Sequence, residues 1–133
     1  MPIYNDPVAK ADELREAVRG LAHATRSIED PTSIYSVLGS ISSALTSLTQ
    51  SLHQLGGFHN GAATRTAWMN GEGQAGRASS YRVSWELHRA AEMLHQVADC
   101  VNRAHEIEAT ITYATSTPDR PHRCPAPNTG LSL

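Results

Sequence analysis

From Pro31 to Thr64 the chain carries no Asp, Glu, Lys or Arg. Within that stretch Ile34, Leu38, Ile41, Leu45, Leu48, Leu52 and Leu55 recur in alternating steps of four and three, the repeat of a helix that lays one stripe along a partner. A soluble helix with a free outer face normally carries charge there, so an uncharged helix is expected to lie between neighbours that approach closely. Ser36, Ser40, Ser43, Ser47 and Ser51, with Gly39, form a second stripe of small residues and are predicted to make an oligomer interface. A membrane span fits poorly, because seven Ser and three Thr between 32 and 51 spoil an apolar segment and no Lys or Arg marks a cytoplasmic edge. No membrane partner is expected.

Helix signals flank this segment on both sides. Asp6-Pro7 reads as an N-cap followed by proline at the first helical position, and Ala11, Leu14, Val18, Leu21, Thr25 and Ile28 keep a helical step, so the first helix is predicted over 7–28. Asp30-Pro31 repeats the signal and starts the central helix, predicted over 31–55, antiparallel to the first and ended by a left-handed cap at Gly56-Gly57. Ser79-Ser80 is read as the cap of a third helix reaching residue 112, with Val83, Leu87, Ala90, Leu94, Val97 and Val101 as its apolar stripe. At roughly 33 residues it would span about 50 Å and project beyond the other two.

The fold class that follows is all-α: an antiparallel three-helix bundle with coiled-coil-like heptad packing, a Gly-rich 56–78 connection, one helical domain over 1–113, and a disordered Pro-rich C-terminal tail over 114–133. Leu, Ile, Val and Phe supply only 24 of 133 residues, so the core must be thin.

Charge and cysteine content narrow the function classes. Eleven basic residues against thirteen acidic give a net charge of −2, which disfavours nucleic acid as a partner. Cys100 and Cys124 form no CxxC pair, and Met1 to Pro7 lack the basic start and apolar run of a cleaved signal, so the expected location is cytoplasmic. Ten of the eleven basic residues are Arg, a skew that points to a GC-rich bacterial source.

Each chemical constellation is incomplete. Gly71-Glu72-Gly73-Gln74-Ala75-Gly76 matches G-x-G-x-x-G, but no strand delivers it, so it is read as a connection and not a dinucleotide site. His88, Glu92 and His95 are candidate metal ligands, but they fall away from Leu87, Leu94 and Val101 and are read as a solvated face; His122 with Cys124 lacks the further ligands that zinc requires, and no metal or other cofactor is expected. Cys100 is read as a small buried residue. Arg77, Arg82 and Arg89 interleave with Tyr81 and Trp85, and together with Trp68, laid over the end of the bundle, they form the candidate recognition patch. Without a convergent catalytic set the chain is expected not to be an enzyme. The favoured reading is a helical interaction or scaffold protein, or an accessory subunit of a bacterial assembly, self-associating as a homodimer and binding a further protein. A nucleic-acid-associated accessory protein and a secreted helical effector without a cleaved signal are the alternatives.

Overall fold

The computed structural model describes residues 6–61 and 73–114 as an all-α helical bundle with three helices and no strand among them: α1 (Pro7–Ala24), α2 (Ser33–Asn60) and α3 (Gly73–Glu108). Trp68, Gly71 and the Pro-rich stretch from 115 onward, on which several expectations fell, lie outside the described residues.

Helix α1 begins as its sequence dictates. The Asp6 carboxylate accepts hydrogen bonds from the N–H groups of Val8 (3.1 Å) and Ala9 (3.2 Å), two of the donors that a helix start leaves unpaired, and Pro7 occupies the first turn. The helix ends at Ala24, earlier than the apolar spacing to Ile28 suggested, because the Thr25 hydroxyl turns back onto the Leu21 carbonyl (2.9 Å) and closes the last turn.

Asp30 does not cap α2 directly. Its carboxylate binds the Thr32 hydroxyl (2.6 Å) and N–H (2.9 Å), while the Ser33 hydroxyl donates to the Asp30 carbonyl (2.7 Å), so 30–33 form a turn and the helix starts two residues later than predicted. These hydrogen bonds hold the Asp30 carboxyl below its usual pKa, with the Thr32 hydroxyl the larger cause.

Two boundaries differ at the Gly-rich connection. Helix α2 continues through Gly56 and Gly57 to Asn60, and α3 already runs from Gly73, so the expected 56–78 connection shortens at both ends. Gly56 is buried beneath a ring from α3 and is no cap. Ser79 and Ser80 are within α3 and do not start it. The buried Ser80 hydroxyl instead donates to the His59 carbonyl (2.8 Å), one of the carbonyls that the last turn of α2 leaves without a helical partner. Ser84 donates in the same way to the Gly56 carbonyl at 2.7 Å.

Helices α2 and α3 pack against each other as an antiparallel hairpin, but not through the stripes the repeat singled out. On α2 the seam follows Tyr35, Gly39, Thr49, His53 and Gly56, each one position after a residue of the aliphatic stripe. On α3 it follows Ser80, Ser84, His88, Ala91, Ala98 and His105. Small side chains allow the backbones to approach, and that rotates the aliphatic residues to the edge of the seam. The seam's hydroxyls carry no unpaired cost, since Thr49 donates to the Leu45 carbonyl of its own helix (2.9 Å).

Helix α1 has no buried residue. It turns back along α2, and Leu14, Val18 and Leu21 line a groove with Val37, Ile41 and Ala44, nearly opposite the seam. Among the described residues only α2 and α3 bring their backbones into close contact, so α3 covers one face of α2 while α1 stands off across that groove. By residue count the three helices are about 27, 42 and 54 Å long, so α3 outreaches both others as expected. No helix among the described residues is long and apolar enough to cross a membrane.

Candidate interaction surfaces

The helical repeat of α3 places Arg77, Tyr81, Trp85 and Arg89 in one row at successive steps of four, with Arg82 beside it. All five are exposed, Trp85 at 61%. The Arg89 guanidinium lies 5.4 Å from the centre of the Trp85 ring, a cation–π contact that fixes both side chains at the surface. Tyr81, Arg82 and Trp85 share a shallow hollow with Glu86, so an acidic group belongs to the same surface. Trp68, placed with this patch by the sequence, is outside the described residues.

The candidate metal ligands do not converge. His88 is half-buried in the seam, where its Nδ1 lies 2.7 Å from Nδ1 of His53, and is not on a solvated face. Glu92 reaches the other nitrogen of that ring, Nε2 of His53, at 3.4 Å. His95 is exposed and stands 3.9 Å from Asp99. The separation of the two Nδ1 atoms is that of a hydrogen bond between imidazoles, one donating and one accepting. No group of three His, Cys, Asp or Glu among the described residues is arranged to hold a metal ion. Sequence reasoning missed His53, whose partner lies 35 residues away. The one available signal was its place three residues before a glycine on the charge-free helix.

Cys100 is exposed, contrary to the buried position expected of it, because the stripe it bordered is rotated out of the seam. Its sulfur accepts a hydrogen bond from Arg103 at 3.1 Å.

The five serines of the second stripe, Ser36, Ser40, Ser43, Ser47 and Ser51, are all exposed in the single chain, and Ser36 and Ser40 border the groove under α1. The aliphatic stripes occupy the opposite flank of the seam. Leu38, Leu45 and Leu52 of α2 adjoin Leu87, Leu94 and Val101 of α3, all half-buried. Outside them Leu55 (50%) and Val97 (47%) are open to solvent. In an antiparallel pair, a stripe that precedes the seam on both helices falls on the same side, so these residues form one continuous apolar face two helices wide.

No protein-family model matches the chain, and neither a curated protein nor a solved structure does.

Proposed function

We propose that this chain is a non-enzymatic helical interaction protein, a scaffold or accessory subunit of a bacterial assembly, that works by self-association. One observation carries the reading. Among the described residues the buried hydrophobic side chains are Ala91 and Ala98, and no large side chain is fully buried. Ordering each backbone residue costs about 1–2 kcal/mol, and two alanines with a half-covered leucine face offset little of that. A second chain covering the face supplies the missing burial. The polar clusters support a non-catalytic role as well, since His53, His88, His59, Ser80 and Ser84 are used to join α2 to α3.

The test is thermal unfolding across protein concentration. A chain completed by its own copies melts at a temperature that rises with concentration, as mass action requires. A melting temperature independent of concentration, with a monomeric mass by light scattering at tens of micromolar, removes the reading.

The exposed row of Arg77, Arg82 and Arg89, with Arg89 stacked on Trp85, favours a second reading as a nucleic-acid-associated protein. Glu86 in the same hollow and the net charge of −2 weigh against it. Phosphate contacts would give binding that weakens steeply with salt, and binding that is flat in salt or absent excludes it.

A further inference from the structure

Building on the self-association proposed above, we infer that the leucine face of the α2/α3 hairpin is the contact surface and that its occupant is a second copy of this chain, packed face to face as a four-helix bundle. Three observations select that occupant. First, the α2 half of the face has no charged residue, and Val83, Leu87, Ala90, Leu94, Val97 and Val101 carry the α3 half, with Arg82 and Glu86 beside Val83 and Leu87 at one end. Away from that end a like face meets it without a repelled or desolvated charge, whereas a charged partner would bury one.

Second, the area fits. Helix α2 is about 42 Å long and two helices packed 8–10 Å apart present a face about 20 Å wide, so each copy covers on the order of 800 Å², or about 1,600 Å² in total, the size of a stable dimer interface. Third, α1 does not cover the leucines of the face: Leu14, Val18 and Leu21 border an open groove with Val37, Ile41 and Ala44 of α2, without close backbone contact. Alternating steps of four and three on both helices then let residues of one face seat between those of the other, the packing of left-handed four-helix bundles.

Sedimentation equilibrium of the full chain at tens of micromolar should give a dimer. Leu45→Glu and Leu94→Glu, each placing a charge in the face, should raise the dissociation constant by at least about 100-fold, while Ser43→Glu and Ser47→Glu leave it unchanged. A monomeric wild type overturns this inference together with the self-association it rests on. A dimer broken by the serine variants and not by the leucine variants overturns the face alone and leaves self-association standing.

Because the leucine variants could also unfold the hairpin, a second measurement keeps the wild-type shape. Photo-leucine replaces leucine throughout the chain, mixed with an isotope-labelled copy. Cross-links between the two isotopes should arise at Leu45, Leu48 and Leu94. Mixed cross-links confined to Leu14 and Leu21, or none, overturn the inference.

Discussion

The imidazole of His88 occupies the space in which a side chain on Gly56 would begin: a Cβ built on Gly56 would stand 2.8 Å from Nε2 of His88. The ring has little freedom to withdraw, since its Nδ1 is 2.7 Å from Nδ1 of His53. Gly56→Ala should therefore destabilise the chain by about 1–3 kcal/mol, the usual cost of overpacking, despite alanine's better helix propensity. The shift in urea midpoint measures it.

Gly57, the next residue, has nothing within 4 Å of where its Cβ would stand, and it is exposed inside α2. Gly57→Ala should stabilise by about 0.5–1 kcal/mol through helix propensity alone. Opposite signs at adjacent glycines would separate the space filled by His88 from backbone entropy; the same sign at both would refute the contact.

Ser84 is buried, and its hydroxyl donates to the Gly56 carbonyl at 2.7 Å. Ser84→Ala removes that bond but leaves no unpaired donor, so the expected loss is about 1 kcal/mol. Ser80→Ala should cost a similar amount, because the His59 carbonyl at the end of α2 loses its partner. Hydrogen exchange should then show the last turn of α2 opening before the rest of the helix.

Two groups set the pH response at the hairpin's far end. Asp30 titrates below the ordinary aspartate value because Thr32 donates to it by hydroxyl and then by N–H. Its folded pKa is depressed, so the stability it contributes is present above the unfolded value and lost as pH falls through the folded one. Tyr113 titrates above the ordinary tyrosine value because its hydroxyl is bound by Glu108. Its contribution is present at neutral pH and lost as pH rises through the raised value. Ultraviolet titration should show Tyr113 ionising late, and Glu108→Gln should bring it back; NMR titration of Asp30 in Thr32→Ala should show its value rise.

Cys100 is exposed, so in the Cys124→Ser variant one thiol should react with a soluble disulfide reagent without denaturant. A thiol that reacts only after unfolding would mean that its side of α3 is covered in the native particle, so that the contact extends past Val97 to Cys100 and Ala104.

The sequence made some of these features legible and hid others for physical reasons. The start of α1 could be read because a cap is local, and Asp6 needs only Val8 and Ala9 to act. The arginine and aromatic row could be read because a spacing of four survives in any straight helix. The seam could not. Aliphatic periodicity marks the most apolar face, whereas the face in contact with α3 is set by how closely backbones approach, and glycine, serine and alanine win that contest without looking hydrophobic. Gly56-Gly57 resembles a helix end in local terms; only a ring arriving from α3 turns Gly56 into a notch inside a helix. The boundary of α3 failed likewise, because Ser80 serves a carbonyl of α2 and not its own helix start.

The same interval separates Gly39 from Gly56 on α2 and His88 from His105 on α3, and a Cβ on Gly39 would meet Nε2 of His105 at 3.1 Å. A sequence this repetitive offers many nearly equivalent alignments of one rod along the other. Sliding by seven residues would push the His88 ring onto Thr49, whose side chain fills the gap that glycine leaves. Two rings seated in two gaps at matched spacing thus admit a single alignment and reject slipped isomers, a selectivity that leucines alone would not provide.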